Sequence, residues 1–226
     1  MERVRRGRTA FALAGAALLA AGIYAAVLEG LADAHYYNAR TILASVRDKR
    51  PLEANELASA QASLAEAHAL EPANPLFVEQ GARVKEMEAL RLPRGDPAAS
   101  ALLREALDGF HGAALMRPGS PYAWASIALL KLRLAEIDPE FYDALERAAR
   151  LGPWEPPVQI AIADAGLASW PGLAPPAKTV VIAALERGLQ REEPEIRRLA
   201  AAHGTLPLVC ATPALPPRLA ALCVKI

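Results

Sequence analysis

Histidine and cysteine are the residues of this chain best suited to chemistry, and both are rare. The 226 residues include four histidines, His35, His68, His111 and His203. They stand far apart, and none has a second histidine or a cysteine at the spacing of a metal site. The sequence also contains no G-x-S-x-G elbow, no P-loop and no dinucleotide fingerprint. It therefore predicts no catalytic residue, no metal, no cofactor and no small-molecule substrate.

The two cysteines, Cys210 and Cys223, lie near the carboxyl end of the chain. In an oxidising compartment such a pair is typical of a disulfide. Two buried thiols under a terminal helix are the alternative, since the sequence carries no geometry. A bond between the two would close a loop of about fourteen residues and contribute about 3 kcal/mol to stability.

Four residues are candidate partner-binding positions. Trp154 and Trp170 stand beside prolines at predicted helix ends, where a tryptophan either covers the core or faces a protein or a sugar. Lys131 and Gln159 fall on faces of predicted helices that we expect to be exposed. A third tryptophan, Trp124, is expected to fill the core.

The elements that position these residues begin with an apolar segment. Four arginines within the first nine residues precede an uncharged run over residues 10–28. Such a run makes about 28 Å of helix, close to the thickness of the hydrocarbon core of a bilayer. The arginines favour a cytoplasmic amino terminus. We therefore predict a basic cytoplasmic segment over 1–9, a transmembrane anchor over 10–29 in a bacterial inner membrane, and a periplasmic remainder.

Three alternatives to this topology remain at the level of sequence. A buried helix of a soluble domain is one, although such a helix would rarely carry a one-sided arginine cluster. A signal peptide could be cleaved at Ala32-Asp33-Ala34, although an apolar core of this length exceeds the usual range of about 7–15 residues. An inverted orientation would place the domain in the cytoplasm, and only the arginine count argues against it.

Composition indicates one all-α domain after the anchor. Helix formers dominate and strand formers are scarce. The chain has 25 basic and 25 acidic residues, so no basic surface for nucleic acid is indicated. We expect a juxtamembrane helix over 30–50, a helical domain over 51–204 and a carboxyl-terminal tail over 205–226.

Pairs of prolines mark the ends of the predicted helices. The pairs are Pro72 and Pro75, Pro118 and Pro121, and Pro153 and Pro156, and Pro51 is predicted to begin the helix before them. The first proline of each pair should end a helix and the second should begin the next, because a first helical turn tolerates a missing N–H. The first prolines are 46 and 35 residues apart. A helix-turn-helix unit with a period near 34 is the tetratricopeptide signature.

The unit from Pro121 to Gly152 resembles a tetratricopeptide repeat. Six residues match the packing positions of that pattern: Trp124, Ile127, Ala128, Phe141, Leu145 and Ala148. The other units depart from it, with Val78 and Gln159 where the aromatic residue should stand. The resemblance implies a solenoid of helical hairpins whose first helices line a partner-binding surface.

Residues 117–124 (RPGSPYAW) and 151–156 (LGPWEP) resemble a narrower group, the short membrane-anchored helical accessory proteins of bacterial exopolysaccharide biosynthesis. This resemblance implies protein partners in an envelope polysaccharide complex and contains no catalytic residue. The sequence thus predicts a membrane-anchored periplasmic scaffold that is not an enzyme. The alternative is a subunit of the same machinery that contacts the carbohydrate or regulates an enzyme, with Trp154 and Trp170 as stacking platforms.

Overall fold

A computed structural model of the chain describes residues 2–44, 52–93 and 95–224, with side chains from Ala12 onward. Within these ranges every regular element is a helix, which confirms the all-α prediction. The α-helices are α1 Glu2–Ala44, α2 Ala54–Leu70, α3 Pro75–Arg91, α4 Pro97–Met116, α5 Pro121–Arg133, α6 Pro139–Leu151, α7 Pro156–Ser169, α8 Pro175–Arg191, α9 Glu193–His203, α10 Leu206–Cys210 and α11 Pro217–Cys223. The predicted helix start at Pro51 and the end of the predicted juxtamembrane helix, 45–50, lie outside the described residues.

The chain divides into two compact units, Met1–Gly81 and Ala82–Ile226. The division falls within α3 and so within the domain predicted over 51–204. The tail predicted over 205–226 belongs to the second unit. The first unit thus holds the apolar helix, and the second holds all four predicted partner-binding residues.

Helix α1 is the candidate membrane span. Among the residues that the structure describes, its Ala12–Ala44 stretch of 33 residues is the one helix long and apolar enough to cross a membrane. The most apolar window of that stretch contains no buried residue, unlike the core helix of a soluble domain. Helix α1 also continues without a break through residues 31–44, so the described part of the expected juxtamembrane helix is one helix with the apolar segment.

The outer part of α1 packs against α2 along a seam of small residues. Ala32 and Ala39, one heptad apart, are fully buried. The buried residues of α2 follow the matching three-and-four spacing: Leu57, Ala60, Leu64 and Ala67. Ala32 clusters with Ala67, and His35 Nδ1 lies 2.7 Å from Glu66 Oε2. Helix α2 therefore runs back along α1 toward the end of its apolar run.

The three proline turns share one hydrogen-bonding pattern. The first turn residue donates its N–H to the last turn of the preceding helix: Glu71 to Ala67 (3.0 Å), Arg117 to Ala113 (2.9 Å) and Gly152 to Ala148 (2.9 Å). The last turn residue donates to the carbonyl of the first: Asn74 to Glu71 (3.1 Å), Ser120 to Arg117 (3.0 Å) and Glu155 to Gly152 (3.3 Å). The next residue is the proline that begins the following helix. The prediction that paired prolines separate consecutive helices is confirmed at all three.

The core of the second unit is built around α5 and α7. Helix α5 contacts α4, α6 and α7, while α7 also contacts α8 and α9. Five of the predicted packing residues are buried: Ile127, Ala128, Phe141, Leu145 and Ala148. Trp124 differs from its prediction, because it is half-buried at the edge of the core and its Nε1–H donates to the Pro118 carbonyl over 2.9 Å.

The tail is part of the fold of the second unit. Its helices α10 and α11 bury four side chains: Leu206, Val209, Leu219 and Leu222. A disulfide joins Cys210 to Cys223, with a Cα–Cα distance of 5.6 Å. Of the two sequence interpretations of these cysteines, the structure contains the disulfide.

Candidate partner-binding site

Exposed apolar side chains occur at two turns of the second unit. Leu115 and Met116 end α4, Leu151 ends α6, and Trp154 lies in the turn between α6 and α7. Their exposed fractions are 82%, 41%, 37% and 60%. These four residues are called the turn patch below. Exposed apolar side chains of this size make the two turns a candidate interaction surface.

The two turns that carry the turn patch are adjacent and fixed to each other. Tyr122 Oη donates to Glu155 Oε2 over 2.6 Å and so joins the start of α5 to the second turn. A Cβ atom at Gly152 would lie 2.7 Å from Pro121 Cβ, so this close approach requires glycine. The patch therefore rests on a rigid base, which lowers the entropy lost on binding.

Gln159 is not an exposed binding residue, and that prediction is wrong. Its side chain is 2% exposed. Its Nε2 donates to the Gly152 carbonyl over 2.7 Å, and its Oε1 accepts from Arg187 Nε over 3.1 Å. A buried amide must satisfy both of its ends, and here it does so by holding the α6–α7 turn from inside. Gln159 thus supports the turn patch without belonging to it.

Lys131 is also buried, and its prediction as an exposed binding residue is wrong. The residue is 3% exposed. Its Nζ lies 2.7 Å from Glu140 Oε2, 2.9 Å from Asp138 Oδ2 and 3.5 Å from Glu136 Oε2. A buried ammonium needs such partners, because an unpaired charge loses its hydration. Three acidic residues at alternate positions around Pro139 supply them.

Lys131 with Glu136, Asp138 and Glu140 is called the lysine cluster below. This cluster connects α4 to the α5–α6 turn. His111 Nε2 lies 2.8 Å from Glu140 Oε1, and Arg104 Nη1 lies 2.9 Å from Glu136 Oε1. Ala135, before Glu136, takes a φ of 59°, a backbone region that favours glycine. The turn is thus held in a costly conformation by the ion pairs around it, which indicates a structural role.

The charges of the lysine cluster shift one another's proton affinities. Burial by itself lowers the pKa of Lys131, but hydrogen bonds and charge attraction from Glu140 and Asp138 outweigh it and raise the pKa above its usual value. The hydrogen bond from Lys131 lowers the pKa of Asp138 and the pKa of Glu140. All three groups therefore stay charged at neutral pH.

The remaining two tryptophan candidates have opposite environments. Trp170 begins a 3₁₀ turn after α7, is 3% exposed, and has Lys178 Nζ 5.3 Å from its ring centroid. Trp154 is 60% exposed. The prediction of a partner-binding role for Trp170 is wrong, because its ring is buried in the core. Trp154 remains a candidate for such a role, because its ring is exposed.

Three of the four histidines each lie beside a different carboxylate. His203 Nε2 lies 2.6 Å from Asp164 Oδ1, as His35 and His111 lie beside Glu66 and Glu140. In the part of the chain that the structure describes, no three His, Cys, Asp or Glu side chains are placed to hold a metal ion. These histidines pair across 29 to 39 residues of sequence, so no local motif could reveal them.

Sequence reasoning missed three residues of the turn patch, although a signal for two of them exists. Met116 and Leu151 each stand immediately before the first residue of a proline turn, although Leu70, at the same position in α2, is partly buried. Leu115 has no such signal, because its exposure follows from the packing of α4.

Comparison of the chain with protein-family models, with curated proteins and with solved structures finds no match.

Proposed function

We propose that this protein is a single-pass membrane-anchored adaptor whose helical domain binds partner proteins of a cell-envelope assembly. The observation that carries the proposal is the turn patch, four exposed apolar side chains on two mutually fixed turns. Tryptophan and methionine are enriched at protein interfaces, and tryptophan often supplies much of the binding energy. Trp154 is the expected centre of this surface.

Retention of α1 as an anchor is supported by the region of the alternative cleavage site. Residues 32–34 lie within continuous α-helix, and Ala32 is fully buried against Ala67 and Phe77. Cleavage after Ala34 would remove Ala32 and so expose the apolar surfaces of Ala67 and Phe77 that it covers. The unburied apolar stretch of α1 is then the part that enters the bilayer.

A tetratricopeptide-like arrangement is proposed for the helical hairpins after the anchor. Its support is the common geometry of the three proline turns and the burial of the packing residues of the unit from Pro121 to Gly152. Contacts of α5 with α7 and of α6 with α8 are those expected when one helical hairpin stacks on the next.

A periplasmic location at the inner membrane is proposed from two independent features. The amino-terminal arginines favour a cytoplasmic start, and the Cys210–Cys223 disulfide is typical of an oxidising compartment. Alkaline phosphatase fused after Ile226 should therefore be active in a bacterial host. An inactive fusion, together with an active cytoplasmic reporter at the same site, would contradict this orientation.

We propose exopolysaccharide biosynthesis or export as the pathway, on the resemblance of residues 117–124 and 151–156 alone. Contact with the carbohydrate itself is the second candidate, and the exposed ring of Trp154 favours it. Burial of Trp170 removes the second stacking platform that this candidate invoked. A protein partner suits the turn patch better, because three of its members are aliphatic or thioether side chains. Binding, not catalysis, is the proposed activity.

The test compares what purifies with the protein from its native membranes. Trp154→Ala should lose a specific partner that the unaltered protein retains. Leu208→Ala is the matched control, because Leu208 is 51% exposed on α10, an element that carries no residue of the turn patch. Equal partner recovery by all three proteins would contradict the proposal, and loss of polymer binding without loss of a protein would favour the carbohydrate candidate.

A further inference from the structure

A groove lies beside α1 where its apolar run ends. Its volume is about 540 Å³. Ala25, Leu28 and Glu29 of α1 form one side, and residues 70–75, at the end of α2 and in the turn to α3, form the other. All of these residues belong to the first unit.

The position of this groove along α1 sets its depth in a membrane. Leu28 is the last residue of the uncharged run, and Glu29 is the first charged residue after it. If α1 spans the bilayer, as the proposed function holds, the groove opens at the boundary between hydrocarbon and headgroups. The inference therefore rests on the anchor.

The turn between α2 and α3 is fixed beside α1 by an aromatic contact. Phe77, near the start of α3, is 2% exposed and clusters with Ala32 and Ala67. Its ring centroid lies 5.5 Å from that of Tyr36 on α1. The groove is consequently a built feature of the first unit, held open by the packing of three helices.

The polar groups of the groove are acidic. Glu71 is half-buried, and Asn74 Nδ2 donates to its Oε2 over 2.9 Å. Asn74 Oδ1 in turn accepts the N–H of Leu76 over 3.1 Å at the start of α3, so the Glu71 carboxylate is held in place. Glu29 is exposed on the facing side. None of the nine described residues that line the groove is basic.

The apolar groups of the groove lie on the bilayer side. Ala25 and Leu28 belong to the apolar run, and Pro72 is exposed at the tip of the turn. A ligand that matches both parts carries a cation above an acyl chain. Headgroups of net negative charge are disfavoured by the two carboxylates, and a free metal ion would make no contact with the apolar side of the groove.

We propose that this groove binds an aminophospholipid of the surrounding bilayer, with a primary ammonium headgroup of the phosphatidylethanolamine class. The ammonium lies between Glu29 and Glu71 and donates hydrogen bonds to both carboxylates. The upper part of an acyl chain lies against Ala25 and Leu28. A quaternary choline headgroup has the same charge but no N–H to donate, so the groove discriminates between the two.

The test measures lipid selectivity of the full chain in nanodiscs. The nanodiscs contain equal amounts of ethanolamine and choline phospholipids with identical acyl chains, and native mass spectrometry records which lipid stays bound. We expect about tenfold enrichment of the ethanolamine lipid, the size expected for charge-assisted hydrogen bonds. The double variant Glu29→Gln, Glu71→Gln should reduce the ratio to about one.

Matched controls separate the lipid site from the anchor. Asp33→Asn removes one charge from the same helix outside the groove and should leave the enrichment unchanged. Resistance to alkaline extraction from membranes reports insertion by itself, and circular dichroism reports folding of each variant.

Each outcome decides the proposal. A chain that does not insert overturns both the anchor and the lipid site. A chain that inserts without preferring the ethanolamine lipid, or a double variant that keeps the preference, overturns the lipid site alone. If the chain inserts without preferring the ethanolamine lipid, and a membrane protein is cross-linked at Ala25, the groove is assigned to a partner helix instead.

Discussion

Lys131 Nζ, on α5, lies 2.7 Å from Glu140 Oε2 inside the second unit, so this ammonium group is committed to structure. We expect Lys131→Met to lower the free energy of unfolding by about 1–3 kcal/mol, since Asp138 and Glu140 would lose their common partner but remain partly hydrated. Denaturant unfolding measures this loss. Lys85→Met, which breaks a more exposed pair with Glu105, is the control and should cost about 0.5 kcal/mol or less. Equal costs would contradict the structural role of Lys131.

The same cluster makes stability depend on pH. Lys131 lowers the pKa of Asp138 and of Glu140 below their usual values of 3.8 and 4.5. Their contribution to stability is therefore complete above the usual values and is lost as the pH falls through the lowered ones. The contribution of Lys131, whose pKa is raised, is complete below 10.5 and is lost only at higher pH.

Denaturant unfolding between pH 6 and pH 3 tests this dependence. The unaltered protein should lose more stability over this range than Lys131→Met, because the variant lacks the interaction that lowers both carboxyl pKa values. Parallel pH profiles for the two proteins would mean that the carboxylates are not coupled to Lys131.

Two tryptophans should respond in opposite ways to truncation. Trp170→Ala should cost about 3–5 kcal/mol, because the ring is buried in the core. Trp154→Ala should change stability by about 0.5 kcal/mol at most, since the ring is exposed. Melting temperatures of the second unit within the full chain provide the comparison. A large loss for Trp154→Ala would show that this residue is part of the core.

The disulfide should stabilise the second unit. Cys223→Ser opens a loop with a sequence separation of 13 and should cost about 3 kcal/mol by chain entropy. A reducing agent should lower the melting temperature of the unaltered protein to about that of Cys223→Ser, and it should leave the melting temperature of the variant unchanged. A variant as stable as the unaltered protein, or thiols that react with alkylating agents in intact cells, would contradict the bond.

The sequence predicts the elements of this fold well where a single residue type fixes the backbone. Proline lacks an N–H and has a restricted φ, so it favours the first turn of a helix regardless of tertiary contacts. The helices that begin in this way start at Pro75, Pro121 and Pro156. The length of the apolar run in α1 is also a local property that can be read directly from the sequence. Helix α2 begins at Ala54, where Glu53 and Glu56 form a capping box that the sequence also contains.

Exposure of the candidate binding residues could not be predicted, because it depends on distant partners. Gln159 can be buried because Arg187, 28 residues later in the chain, donates a hydrogen bond to its side-chain oxygen. Trp154 and Trp170 both stand beside prolines, yet one ring is exposed and the other is buried. For Lys131 a local signal exists in the three acidic residues at 136, 138 and 140, but only the fold shows that they converge on its Nζ.

The most direct test of partner binding places a photoactivatable phenylalanine analogue at position 154 in living cells. Exposure of Trp154 on the turn patch predicts a discrete adduct with another protein after irradiation, and no adduct from the same analogue at position 208. A protein adduct at 154 alone is the result expected of a membrane-anchored adaptor. Absence of any adduct at 154, or an adduct with polymer only, would contradict binding of a protein partner through the turn patch.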